Sequence, residues 1–369
     1  MAAYTEASRQ LFKRPADQRY HSMDSVIDFL KTREKSTIEA PVRSMRVQAI
    51  DNDALSLSID SYKIEGRKMT RMTDWSFGTL CRNVGAPKGY INELPARLAE
   101  ECLNHGLVEK EKKGNGTIVN IGDVDGYPTA RAFYSDRYER VPDLYVAETV
   151  KEQALQYGYI PAGLLAGKRG GAPHNPDYSG LYASDRDVFF FFANESVPFE
   201  VEGEELYHMF MVWNSEVTAR TLGFSSCLYR FICGNHMVWG TRDLVEMSAR
   251  HVGSPQKVID NFKLVLQGYE GYRNVQVEIS KARISQAMRK TFADTREKIA
   301  ERLESYMTRK EANAVLPFIE SPVAYPKAPN SVWGVANGMT LYSQTVPYQD
   351  RRLEIDQAAG RMMEKEVGF

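Results

Sequence analysis

The sequence predicts an α+β protein with a mostly antiparallel sheet core, packed helices and a long C-terminal helical segment. Three observations predict it. Apolar and polar side chains alternate with period two in runs such as Leu55-Ser56-Leu57-Ser58-Ile59. Residues 206–213 are apolar on both faces, which places a strand at the centre of a sheet. After Ser254-Pro255 the apolar residues change to a helical spacing, with Val258, Phe262, Val265 and Leu266 on one face.

In chain order, residues 1–41 read as an N-terminal arm with one short helix around Val26, Ile27, Phe29 and Leu30. Residues 42–69 read as a hairpin with one wet face, turning at Asp51-Asn52-Asp53. Two helices follow, over 74–84 and 95–105, the second opened by Pro95 and stopped by Gly106. Strand, turn and strand follow over 117–134, then a helix over 143–157. Glycine and proline are too dense over 161–176 for any regular element, so a loop is expected there, and the first to be cut by a protease. Strands resume at 189–193, 206–213 and 218–233. A helix or helix pair then runs to about Val315, ended by Pro317, before a small-residue helix from Val332 and a charged one over 349–365. The organisation expected is an arm (1–41), an α+β core (42–255) and a helical region packed on it (256–369).

Composition narrows the class. With 43% apolar and 26% charged residues the chain is an ordinary globular one, and a net charge of −1 argues against a surface coated for duplex DNA, so any nucleic-acid site must be a local patch. Cys81, Cys102, Cys227 and Cys233 form no CxxC pair, which fits a reducing compartment. The N-terminus has no basic stretch leading into an apolar run, and the longest apolar run, 188–193, is far below the ~20 residues of a membrane span, so the expected location is the cytoplasm with no membrane partner.

The motifs that carry catalytic chemistry fail. Gly163-Leu164-Leu165-Ala166-Gly167-Lys168-Arg169 has Ala162 in place of the first glycine of a phosphate loop and Arg169 in place of the hydroxyl residue. Cys227 and Cys233, six apart on a strand, share a face with Ala219, Thr221, Gly223 and Ser225, a row of small side chains suited to close helix packing more than to a metal. His236, after Gly234-Asn235, reads as a turn residue, and His208 as a core histidine. Acidic residues are dispersed and no serine lies in GxSxG, so no catalytic constellation, cofactor or metal is implied.

Basic residues are more informative. The opposite face of strand 218–233 carries Arg220, Leu222, Phe224, Ser226, Leu228, Arg230 and Ile232, a mainly apolar row with an arginine near each end. Arg137, Tyr138 and Arg140 form a second group, and Lys168 with Arg169 a third. Over residues 281–310 nine basic side chains, among them Lys281, Arg283, Arg289 and Lys290, outnumber four acidic ones. Single-stranded nucleic acid is bound by such cations tracking phosphates with aromatics stacking bases. A plain solvated basic face stands beside that reading.

Asn214-Ser215-Glu216-Val217-Thr218-Ala219-Arg220, continuing through Leu228-Tyr229-Arg230-Phe231-Ile232-Cys233-Gly234-Asn235, resembles a family of phage- and plasmid-like proteins known as a domain of unknown function. Ser135-Asp136-Arg137-Tyr138-Glu139-Arg140, Gly85-Ala86-Pro87-Lys88-Gly89-Tyr90 and Val332-Trp333-Gly334-Val335-Ala336-Asn337-Gly338 match in the same order, from about Trp75 to the end. Where such proteins commonly read Cys-Asn-Gly, this chain has Cys233-Gly234-Asn235. The resemblance implies a mobile-element product and carries over no active-site residue. The expectation is a non-enzymatic, homo-oligomeric protein that binds single-stranded DNA in recombination or replication. The alternatives are a factor that binds a host protein to counter a defence system, and an enzyme whose site assembles from distant residues.

Overall fold

The computed structural model describes residues 11–12, 16–50, 54–59, 69–114, 116–124, 126–163, 180–230, 235–237, 247–249 and 255–367. The α+β class is as the alternating and helical patterns require, and the strands fall into two sheets. In the first, β3 (Ile38–Pro41), β7 (Thr117–Val124), β8 (Tyr127–Ser135), β6 (Met69–Thr73), β5 (Ala54–Ile59) and β4 (Met45–Ile50) lie in that order, with β1 (Leu11–Phe12) beside β6. All pairs are antiparallel except β1 with β6 and β6 with β8.

This sheet is curled. Its edge strands β3 and β4 are joined by the three-residue 3-10 turn Val42–Ser44. That link spans at most about 14 Å, whereas six flat strands would stand about 24 Å from edge to edge. Helices α2 (Asp74–Val84) and α4 (Ala96–Lys112), connected through α3 (Lys88–Glu93), fill the concave face with Phe77, Leu80, Ala99 and Leu103. Thr73 caps α2 by accepting the Ser76 N–H. Helix α4 does not stop at Gly106 but runs through it to Lys112. A Cβ on Gly106 would lie 2.6 Å from the Val84 Cβ, so this glycine serves the approach of α4 to α2 and not a helix end.

The second sheet, wholly antiparallel, is ordered β14 (Asn235–Met237), β13 (Leu222–Arg230), β12 (Glu204–Asn214), β11 (Val188–Val201), β10 (Leu181–Ala183) and β2 (Gln18–Arg19). Strand β15 (Met247–Ala249) also pairs β13, and β9 (Ile160–Pro161) pairs β11. Strand β12 is central and buried on both faces, as its continuous apolar run predicts. Phe210 and Val212 pack with α1 (Met23–Ser36), α5 (Asp143–Gln156) and Phe262 at the start of α6 (Pro255–Arg289), while Tyr207, Met209 and Met211 pack with Tyr182, Phe189 and Phe191.

Residues 16–41 are not an arm: β2 extends the second sheet, β3 extends the first, and Val26, Ile27 and Leu30 of α1 are core. The helical region holds α6, α7 (Arg296–Leu303), α8 (Arg309–Ile319), α9 (Val332–Ser343) and α10 (Gln349–Val367) around Trp333, with Leu206 and Leu228 of the sheet. Pro317 lies inside α8 instead of ending it; the carbonyl it leaves without an N–H belongs to Asn313, which is exposed to water.

Several sequence expectations meet a different environment. Gly223 faces the Trp213 indole of the neighbouring strand, where a Cβ would come within 2.1 Å, so the small residue accommodates an aromatic ring and not a helix. His236 pairs with Tyr229 in β14, not in a turn. His208, by contrast, is the core histidine the sequence predicts, buried against the Phe199 ring. Cys233, the Cys227 side chain and residues 164–179, which include Lys168 and Arg169, lie outside the described structure. Of the described cysteines, Cys81 is buried, and burial pushes its thiol up to about 12.

Candidate functional site

The segment after β12, Asn214-Ser215-Glu216, enters the interior at the junction of the two sheets. Glu216 is 1% exposed and holds three arginines from three parts of the chain. Its Oε1 accepts from Arg131 Nη1 at 2.5 Å and lies 3.2 Å from Arg33 Nε, while Oε2 accepts from Arg140 Nη1 at 2.9 Å. Asp143, also 1% exposed, accepts from Arg33 Nη2 at 2.5 Å and from Asn214 Nδ2 at 2.7 Å. Arg140 continues outward to Glu34 at 2.6 Å and Glu39 at 3.4 Å. The hub thus ties α1, β3, β8, α5 and the end of β12 together.

Arg131 reaches Glu216 because of a β-bulge. Asn120 pairs with Ala132 and Ile121 with Ala130, leaving Arg131 as the extra residue of β8 and re-aiming its side chain. Electrostatics sorts the two central acids. Burial would raise Glu216, but Arg131, Arg33 and Arg140 outweigh it and hold the carboxyl down at about 2. Burial, followed by the neighbouring Glu216, pushes Asp143 up to about 7 against the pull of Arg33 and Arg131. Both carboxyls are 1% exposed, and the pair ties together the elements that surround it.

The outer side of the same segment is a different surface. Tyr138 donates from its hydroxyl to the Ser215 carbonyl at 3.0 Å and accepts the Thr218 N–H. Ser215 Oγ accepts from the Ala219 N–H at 2.9 Å and donates to the Arg186 carbonyl at 2.7 Å. Thus clamped, Thr218 holds a φ of 66°, a left-handed conformation that a β-branched residue adopts only where its surroundings impose it. Trp75 donates from its indole N–H to the Val217 carbonyl at 2.7 Å, and the guanidiniums of Arg186 and Arg82 lie 5.0 and 5.6 Å from its ring centroid. Arg220, two residues beyond Thr218, lies 3.5 Å from Asp187 and 5.3 Å from the Phe189 ring centroid. Arg82 and Arg137 are exposed and have no ion pair among the described residues.

The eleven residues singled out from the sequence therefore divide. Tyr138 and Arg140 bond the Ser215–Glu216 segment at this junction and Arg220 pairs with Asp187, although Arg140 is consumed by Glu34, Glu39 and Glu216; Arg137 is exposed next to Tyr138. Arg230 does not tip a phosphate-binding face. It is 3% exposed, ion-paired to Glu204 and bonded to the Val323 and Ala324 carbonyls, because its face of β13 packs against the helical region. Lys281, Arg283, Arg289 and Lys290 lie on the second half of α6 or just after it, with Arg289 on Glu202 at the β11–β12 turn. From that turn to Asn214 is the length of β12, roughly 33 Å. Carboxylates also offset the basic excess there: Lys281 pairs with Glu278, Lys290 and Arg302 with Glu366, and Arg296 with Glu320.

Sequence reasoning missed Trp75, Arg82 and Arg186. The available signal was Asp185-Arg186-Asp187, a charged triplet between apolar runs, and a tryptophan at the first turn of a helix. No group of three or more His, Cys, Asp or Glu side chains suited to a metal occurs among the described residues. No helix among them is long and apolar enough to cross a membrane. Comparison of the chain with family models, curated proteins and solved structures finds no match.

Proposed function

We propose that this chain is a nucleic-acid-binding protein of the phage or plasmid type that takes single-stranded DNA across the junction surface around Trp75. The observation that carries the reading is the seating of Arg82 and Arg186 over one tryptophan ring, with Arg82 exposed and Arg186 shared with Asp74 at 3.5 Å. A guanidinium stacked on an aromatic ring keeps a planar fork of donors pre-oriented for phosphate oxygens. The clamped Ser215–Thr218 backbone supplies a rigid floor beneath them.

The test is retention of a labelled oligonucleotide as salt is raised. The double variant Arg82→Glu, Arg137→Glu removes two exposed cations without disturbing the hub. It is expected to weaken binding for all sequences alike and to flatten the salt dependence by about 0.7 log units per log unit of salt for each phosphate no longer neutralised. If the unmodified chain shows no salt-sensitive binding to any single-stranded DNA at micromolar concentration, the reading falls. An interface with a host protein then becomes the leading account of the same surface.

A further inference from the structure

One carboxylate sits among the cations at the Trp75 ring. Asp74 opens α2, immediately before the tryptophan over which Arg186 lies. Lys88, the first residue of α3, reaches back along α2, its stem running past Gly78, where a Cβ would lie 3.5 Å from Lys88 Cδ. Its ammonium donates to Asp74 Oδ1 at 2.5 Å and to the Asp74 carbonyl at 3.2 Å. From the turn between β10 and β11, Arg186 Nη2 stands 3.5 Å from Asp74 Oδ2. The two carboxylate oxygens are thus divided between a lysine and an arginine from distant parts of the chain.

The partners differ in how firmly they are held. Arg186 is fixed through its backbone, whose N–H donates to Ser184 Oγ at 3.0 Å and whose carbonyl accepts from Ser215 Oγ at 2.7 Å. Its guanidinium is underused: the contact with Asp74 is longer than an ordinary hydrogen bond, and Nε is buried without one. The Asp74 side chain, by contrast, is 41% exposed, so water is open to it. The cations are therefore the built part of the site and the carboxylate the movable part. A phosphate offers the same cations an anion with more acceptor oxygens, matched to the guanidinium fork and to the positive end of the α2 dipole.

On the reading that the junction surface takes single-stranded DNA, we propose that the place held by the Asp74 carboxylate, between Lys88 and Arg186, is a phosphate seat of that surface, and that Asp74 fills it until a strand phosphate takes its place. Asp74→Ala vacates the seat and leaves the Thr73 cap of α2 intact. By retention of a labelled oligonucleotide it is expected to bind about tenfold more tightly than the unmodified chain, the scale of one charge-assisted hydrogen bond. The salt slope is expected to steepen by about 0.7 for the phosphate gained. Asp136→Ala removes an equal charge from an exposed residue that pairs with neither Lys88 nor Arg186. It is expected to gain less than about threefold, since screened charges act weakly at a distance. Equal gains in the two variants, or an Asp74→Ala chain that binds no more tightly than a parent with salt-sensitive binding, overturn the phosphate seat and leave the DNA reading standing. Absence of salt-sensitive binding in both parent and Asp74→Ala overturns both. Should Asp74→Ala fail to fold, Asp74→Asn, which keeps the shape of the side chain and removes its charge, is held to the same outcomes.

Discussion

At the scale of single residues, the buried hub makes stability respond to pH with opposite signs from two carboxyls. Asp143 is raised from 3.8 to about 7, so the folded state binds its proton more tightly than the unfolded state. Its favourable contribution is complete below 3.8 and is lost as pH rises through about 7. Glu216 is lowered from 4.5 to about 2, so its contribution is complete above 4.5 and is lost as pH falls through about 2. Urea midpoints measured across pH are expected to rise from about pH 8 towards 5 and to fall in acid. Asp143→Asn is expected to remove the slope between about 4 and 7 while leaving the acid limb intact. Arg230 supplies a second prediction at this scale. Arg230→Glu would set a second carboxylate against Glu204 in a buried site. The expected cost, read from chemical denaturation, is at least about 3–5 kcal/mol, the range for breaking a buried ion pair. A variant as stable as the parent would show that the pair is not buried in solution.

At the scale of elements, close approach explains what propensity does not. Gly106→Ala gains helix propensity worth about 1 kcal/mol, yet its new Cβ meets a β-branched side chain at 2.6 Å, and the other two Val84 carbons at 3.2 and 3.3 Å leave no rotamer that clears it. Overpacking wins, and thermal unfolding is expected to show a net loss of about 1–2 kcal/mol. Val84→Ala in the same chain is expected to recover most of it; an absence of coupling between the two substitutions would refute the contact. The run Thr129 to Tyr134 shows the same limit of local pattern. Strict alternation puts Arg131 on the side of Phe133, but the bulge opposite Asn120 and Ile121 turns it towards Glu216. Nothing within the strand's own sequence marks that extra residue.

At the scale of the whole molecule, the two ends of β12 behave as separate surfaces. Charge reversal at Arg289 and Lys290 removes cations held by Glu202 and Glu366, roughly one strand length from Trp75. Oligonucleotide affinity and its salt slope are therefore expected to be unchanged in Arg289→Glu, Lys290→Glu, in contrast to the pair at Arg82 and Arg137. A loss at both ends would mean that the strand runs the full length of the molecule.

What the sequence by itself determined was the class and most of the elements. The alternation of Leu55 and Leu57, the doubly apolar run of β12 and the helical spacing after Pro255 are local signals, because burial of one face imposes a period on the residues that carry it. Tertiary structure alone decided which charges remain available. Arg220 and Arg230 look alike in the sequence, yet one stands at the junction surface and the other inside the helical region against Glu204. The basic excess over residues 281–310 is offset by Glu202, Glu320 and Glu366, none of which lies in that segment. A charge is neutralised by whatever the fold brings within a few ångströms of it, and that proximity is a property of the assembled chain.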